Sequence, residues 1–192
     1  MNFRELLKFN GIHIEAVGFV IAATDDYVAC RCCLLNGLFP GLRLGAEAVE
    51  KFLKAFLKSK DPYSKIKYGH NIKSLARDAS KLPGRFSTAQ FDPLIARLET
   101  YYRFRYPDEP DFKPDASTAE LADIDELVLH IYEGLPIPDV PKFHNYGLFS
   151  FICRPLVPPI DPYLRWLVHN NLAVQRVKAV LLQRYKAVEK QL

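Results

Sequence analysis

The sequence predicts an all-α protein: an antiparallel bundle of about five amphipathic helices, then a Pro-rich strap and a long C-terminal helix. Three observations carry this. Apolar residues recur at helical spacing in successive segments; proline and glycine clusters punctuate them; and hydrophobic residues make up 49% of the chain, enough to bury a core. At 192 residues one core is expected, with 1–135 as the bundle and 136–192 as strap and helix packed on the same domain.

The first helix is expected from Ala16 to Leu35, ended by the breaker cluster Asn36-Gly37-Leu38-Phe39-Pro40-Gly41. The second follows from about Leu42 to Lys58. Its core stripe is Ala48/Val49, Phe52/Leu53 and Phe56, while Glu47 with Lys51 and Glu50 with Lys54 form i,i+4 pairs on the opposite, solvated face. A third helix begins at His70 or Asn71, where Asn can cap exposed amides. It carries Ile72, Leu75/Ala76, Ala79 and Leu82 before Pro83-Gly84 stops it.

Ser87-Thr88-Ala89-Gln90 has the form of a capping box and opens a fourth helix with Phe91, Leu94/Ile95, Leu98 and Tyr101/Tyr102 on one stripe. It should end near Tyr106-Pro107, because the residue before proline is pushed out of the α region. Ser117-Thr118-Ala119-Glu120 is a second capping box, launching Leu121, Ile124, Leu127/Val128, Ile131 and Leu135, with Gly134 and Pro136 closing the helix. Between Pro136 and Pro162 seven prolines mix with aromatic residues, so this stretch reads as an ordered strap rather than a free linker. A last helix from Tyr163 to Lys190 would span on the order of 40 Å.

The longest early apolar run, Ala16 to Ala23, is too short for a bilayer and follows Glu15 rather than a basic segment, so neither a membrane span nor a signal peptide is expected. Cys30, Cys32 and Cys33 crowd within one helical turn, with Cys153 remote. They cannot pair sensibly and do not have zinc spacing, which suits small buried thiols in a reduced, cytoplasmic compartment. No metal and no cofactor is expected. P-loop, dinucleotide-binding, nucleophile-elbow and H-E-x-x-H motifs are all missing.

The net charge of +4 hides a strong segregation. Ten basic residues lie between Lys51 and Arg85 against Asp61 and Asp78, whereas Glu99 to Asp139 holds eleven carboxylates against Arg103, Arg105 and Lys113. Either basic and acidic helices neighbour each other in the bundle, or a basic face is offered to an anion or nucleic acid.

Three segments carry a family resemblance. Gly45-Ala46-Glu47-Ala48-Val49-Glu50-Lys51-Phe52-Leu53-Lys54-Ala55 resembles the "AvEkalKA" helix of the HEPN family, the higher-eukaryote and prokaryote nucleotide-binding domains. Gly69-His70-Asn71-Ile72-Lys73-Ser74-Leu75 is similar to its "gHni..L" segment, and Tyr102-Arg103-Phe104-Arg105-Tyr106-Pro107-Asp108 to its "Y...RYPD" segment. The three occur in the family's order, and the resemblance covers residues 16–135. It implies an antiparallel bundle, often dimeric, in a family of ribonucleases, toxin components paired with small nucleotidyltransferases, and noncatalytic binding modules.

The family's nucleases resemble one another in an Arg-x4-6-His motif, and this sequence departs from it. None of the five histidines follows an arginine at that spacing; Arg165 and His169, the nearest pair, are separated by three residues and lie outside the matched region. Spacing i,i+4 still puts both on one helix face, so they stand as the catalytic candidates beside the plainer reading of a polar face. The chain is therefore expected to be a noncatalytic module binding a nucleotide, RNA or a protein partner. A metal-independent ribonuclease or toxin component, and a structural dimerisation domain, are the alternatives.

The candidate ligand-binding residues are His70, Asn71, Lys65, Lys67, Lys73 and Arg105. Free amides at a helix start, the positive end of its dipole and nearby lysines together favour an anion. Structural readings stand beside these: His70 as a cap or packed ring, Arg103, Arg105 and Asp108 as partners fixing a helix end, and Glu50 simply paired with Lys54. A homodimer is expected because the final helix is apolar on more than one face, with Leu167, Val174, Leu181 and Val188 beside Ala173, Val177, Val180 and Tyr185.

Overall fold

Helix α1 spans Ile14–Leu35 in the computed structural model, which describes residues 14–61, 63, 66, 69–82, 86–102, 118–135, 162 and 165–177. Its buried positions, Ala16/Val17, Val20, Ala23, Tyr27/Val28, Cys30/Arg31 and Leu34, keep helical spacing over about five turns, so a single stripe faces the core. Gly37 ends it at a φ of 71°. The Leu38 amide reaches the Cys33 carbonyl at 2.9 Å and the Gly37 amide reaches that of Leu34 at 3.0 Å, the paired bonds of a Schellman stop.

Helix α2, Pro40–Lys60, starts inside the cluster that the sequence reads as a breaker. Pro40 sits in the first turn, where its missing N–H costs nothing, and Gly41 is a buried helical residue rather than part of the stop. A connection this short sends α2 back along α1, and these two helices share the largest packing surface of the described residues. Twelve of the 21 residues of α2 are buried, because it also packs on three further helices. It is the central helix of the bundle, and only a narrow part of it is solvated.

Helix α3 is Ile72–Lys81, with Asn71 as its N-cap, and it buries Ile72, Leu75, Ala76 and Ala79. A short 3-10 turn, Ala89–Phe91, leads into α4, Asp92–Tyr101. The expected capping box does not start this helix. Ser87 Oγ accepts from the Ala89 amide at 3.3 Å and Thr88 Oγ1 lies 3.3 Å from Ser80 Oγ of α3, so both hydroxyls are engaged before the helix begins beside Pro93. Helix α5, Thr118–Gly134, buries Leu121, Ile124, Leu127, Val128 and Ile131 as the periodicity requires, with Leu135 buried just after it. All elements of the described residues are helical, and none of these helices is long and apolar enough to cross a membrane.

The last helix does not run unbroken from Tyr163 as the sequence reading expects. Helix α6 is only Arg165–Val168; the chain then turns, with Asn170 at a φ of 52°, and residues 172–177 are helical again. The reason is Arg31. Its Nε donates to the Trp166 carbonyl at 2.6 Å and its Nη2 to the His169 carbonyl, acceptors that an unbroken helix would offer to its own amides. Asn171 restarts the helix by accepting from the Val174 amide at 3.0 Å. The Pro136–Pro162 strap, except for Pro162 itself, and residues 163–164 and 178–192 lie outside the described residues.

A charged network lies under this turn. Arg31, fully buried, also pairs through Nη1 with Asp125 of α5, whose other oxygen accepts from the Tyr27 hydroxyl. Asn171 Nδ2 donates to Tyr27 Oη at 3.0 Å. Burial works against the Arg31 charge, but Tyr27 and Asp125 outweigh it and raise its pKa above the ordinary value. The 165–177 segment is thus tied to α1 by polar bonds inside the core, and through Arg31 and Tyr27 indirectly to Asp125 of α5.

Candidate functional site

Glu50 lies in the third turn of α2, and the bundle turns it inward until only 4% of its side chain is exposed. The paired reading with Lys54 holds, since Lys54 Nζ donates to Oε1. The solvated face does not. Glu50 Oε2 also receives the Tyr102 hydroxyl, just beyond α4, and His70 Nδ1 at 3.0 Å, from the turn before α3. Burial opposes the charged form of Glu50, yet the bonds from Lys54, Tyr102 and His70 prevail and hold its pKa below the ordinary value.

An ionised carboxylate only accepts hydrogen bonds, so Nδ1 of His70 must be the donor. In the neutral ring this fixes the tautomer: the proton is on Nδ1 and the lone pair is on Nε2, at the opposite edge. The His70 side chain is 63% exposed, and Nε2 has no hydrogen-bond partner among the described residues. The Tyr102 ring lies 5.3 Å from the imidazole, centroid to centroid, and flanks it. The result is an oriented imidazole on a buried anion with its proton-accepting edge towards solvent.

Because the Glu50 pKa is lowered on folding, its contribution to stability is complete above the ordinary glutamate value of 4.5 and disappears as pH falls through the lower, folded-state value. Glu50→Gln should cost about 1–2 kcal/mol near neutrality, the scale of a buried charge-assisted bond. Urea melts of both proteins between pH 7 and pH 3 should show that difference shrinking on the acid side only. A pH-independent difference would contradict the ionised Glu50.

The start of α3 is already occupied in part. Asn71 Oδ1 accepts from the Ser74 amide at 2.7 Å, as an N-cap should, and Glu99 Oε1 of α4 accepts from the Lys73 amide at 2.9 Å. Two amides that the sequence argument offers to an outside anion therefore bind the chain's own acceptors. The exposed Lys73 side chain stands in the first turn beside His70. Lys65, Lys67 and Arg105, the other candidates, lie outside the described residues, as do Arg103 and Asp108.

Most of the described residues of the basic segment are balanced within the bundle. Lys51 pairs with Asp26 of α1 rather than with Glu47, which faces Arg43 at 3.6 Å, and Lys58 reaches Glu15 at 2.8 Å. Arg165 and His169 both lie against Trp166, the guanidinium 5.1 Å from its ring centroid and the imidazole at its edge 5.9 Å away. This supplies a packing role for the pair, apart from the Glu50 cluster. Cys30 is buried and its thiol is pushed up by that burial, whereas Cys32 and Cys33 are half-buried. No three side chains of metal-ligating type gather among the described residues. An open groove of about 600 Å³ between α4, α5 and Arg176 has its cations answered in place, Arg97 by Glu120 and Asp123, Arg176 by Glu126.

Sequence reasoning names His70, Asn71 and Lys73 as ligand candidates, but it assigns Glu50 to a solvated face and Tyr102 to the core stripe, and so misses the Glu50 cluster. The signal that could have joined them is the order of the three resembling segments, since Glu50, His70 and Tyr102 fall one in each. Fold and site together define an all-α chain with a solvent-facing histidine held by a buried carboxylate. Comparison with protein-family models, curated proteins and solved structures finds no match to this chain.

Proposed function

We propose that the protein is a noncatalytic HEPN-like module that binds a nucleotide, an RNA or a protein partner, and that the His70 corner takes a phosphate-bearing ligand. The observation that supports it is the oriented His70 beside Lys73: an exposed imidazole bonded to Glu50 and flanked by the Tyr102 ring has lost rotamer freedom that a merely solvated histidine keeps. Asn71 holds the helix start that presents both side chains. Lys65, Lys67 and Arg105 are assigned to the same ligand from the sequence alone. The setting is cytoplasmic, and a small nucleotidyltransferase is a fitting partner for a chain of this resemblance.

Titration of labelled short RNA or nucleotide into wild type and into a His70→Ala, Lys73→Glu double variant at two salt concentrations tests the reading. The variant should bind at least tenfold more weakly, and wild-type affinity should fall with salt as phosphate contacts require. Equal affinity in both proteins, or binding by neither, removes the site.

A second reading, a metal-independent ribonuclease, draws on the same geometry, because a lone pair fixed outward on Nε2 is what a general base needs. RNA cleavage that survives EDTA and is abolished in His70→Ala would establish it in place of the noncatalytic one. We also propose a homodimer: Leu167, Ala173 and Val174 are buried against the bundle, yet Leu172 on the same segment is 68% exposed. Light scattering at micromolar concentration should give the mass of two chains; the mass of one would rule the dimer out.

A further inference from the structure

We infer that the apex of the α1–α2 hairpin is a membrane-surface contact, in which Leu38 and Phe39 enter the headgroup–acyl boundary of an anionic bilayer and Arg43 meets its headgroups. The hairpin rests on the surface and does not cross it, since none of the described helices is long and apolar enough to span. Leu38 is 53% and Phe39 56% exposed, side by side in the turn between Leu35 and Pro40. Cys32, Cys33 and Leu35 are half-buried in the last turn of α1, and Asn36, Gly37 and Pro40 complete an apex without charge. Single exposed apolar residues need no cover, but an adjacent pair on a projecting turn concentrates apolar surface in one place.

The backbone favours lipid as the cover. A turn enters an apolar phase at low cost only if its N–H groups do not lose water without replacement. Here the Asn36 amide reaches the Cys33 carbonyl at 3.1 Å, that of Gly37 reaches Leu34 at 3.0 Å and that of Leu38 reaches Cys33 at 2.9 Å. The Gly41 and Leu42 amides bond back to the Leu38 and Phe39 carbonyls at 3.1 and 3.0 Å, and Pro40 has no N–H. The Asn36 side chain donates to the Cys32 carbonyl at 2.7 Å. Only the Phe39 amide is left for water or a headgroup. A turn that recognised a protein through its backbone would keep such amides free.

The charge pattern agrees. No carboxylate occurs between Asp26 and Glu47, and the cations of that stretch are Arg31, which is buried, and Arg43, whose side chain is 41% exposed in the first turn of α2. Arg43 faces Glu47 at 3.6 Å, a surface pair that holds it weakly. An anionic surface approaching the apex therefore meets a cation of the hairpin before it meets an acid. The contact must be weak and reversible: a single myristoyl chain binds with only about 10⁴ M⁻¹, and two half-exposed side chains remove fewer methylene groups from water.

The test is sedimentation of the full chain, at about millimolar lipid, with vesicles of phosphatidylcholine alone and of phosphatidylcholine with about 30% phosphatidylserine. Wild type should sediment with the mixed vesicles and more weakly with the neutral ones. Leu38→Ser with Phe39→Ser should weaken binding about tenfold or more, with an unchanged urea midpoint because both side chains are exposed. Arg43→Gln should weaken binding to the mixed vesicles about fivefold, the effect of one cation at an anionic surface, and leave the neutral ones little changed. Leu38→Trp should gain fluorescence that acyl-brominated lipid quenches, measured against wild type, whose one tryptophan is Trp166.

No vesicle binding at that lipid concentration would overturn the inference. So would equal binding by the Leu38→Ser, Phe39→Ser variant, or a Leu38→Trp signal that brominated lipid leaves untouched. A two-chain mass that falls to one chain in the Leu38→Ser, Phe39→Ser variant, without vesicle binding, would assign the apex to a second copy instead.

Discussion

Asp125→Ala should destabilise the protein by about 3–5 kcal/mol, because it removes the anion from a buried ion pair and leaves the Arg31 guanidinium in the core without it. The Tyr27 hydroxyl would lose its acceptor in the same step. Arg31 would still hold the carbonyls of Trp166 and His169, but these are dipoles and cannot neutralise its charge. Removing both charges by Arg31→Met with Asp125→Leu should recover a large part of the loss, since a buried pair adds little over well-packed apolar groups. The double variant also cuts the bonds by which Arg31 holds the Trp166 and His169 carbonyls, and with them the polar attachment of this segment to α1. Hydrogen exchange in residues 165–177 should therefore stay faster than in wild type even where global stability returns. Urea unfolding of the three proteins measures the first effect, and a loss below 1 kcal/mol for Asp125→Ala would show that the network contributes no net stability.

That network was not legible in the sequence, and the reason is physical. Arg31 sits within the buried stripe of α1, but a periodicity reading counts apolar residues and takes a charged one as a gap. Its partners lie 94 residues away at Asp125 and 135 away at the Trp166 carbonyl, distances that no local pattern registers. Local features were read well: Asn71 caps α3 and the stripe of α5 faces inward, because a cap or a helical face is decided within a few residues. Glu50 lies between the two cases. Its bond to Lys54 follows from i,i+4 spacing, whereas its burial is set by His70 and Tyr102, 20 and 52 residues on. Pro40-Gly41 shows the same limit from the other side. The dipeptide has the composition of a turn, and only the close approach of α1 explains why a helix begins there.

That approach leads to the second large effect. A Cβ added at Gly41 would lie 2.7 Å from Leu34 Cγ, 2.9 Å from the Cys30 carbonyl oxygen and 2.9 Å from Cys33 Cβ. A long side chain can swing aside, but a backbone oxygen and a Cβ inside α1 move only if the helix moves. One turn on, a Cβ at Gly45 would meet Cys30 Sγ and Ile124 Cδ1, both at 3.0 Å. The two glycines therefore form the contact line along which α2 lies against α1. Gly41→Ala should cost about 1–3 kcal/mol, the usual penalty of overpacking, although alanine is intrinsically the better helix former by about 1 kcal/mol. Gly18→Ala is the control. Gly18 is exposed in the same helix pair with nothing within 4 Å of its added Cβ, so the substitution there should stabilise by about 0.5–1 kcal/mol. One substitution with opposite signs at two helical glycines separates steric fit from propensity. Thermal melts that place Gly41→Ala at or above wild type would mean that α2 can back away from α1 at no cost, and the close α1–α2 contact would not be what fixes the bundle.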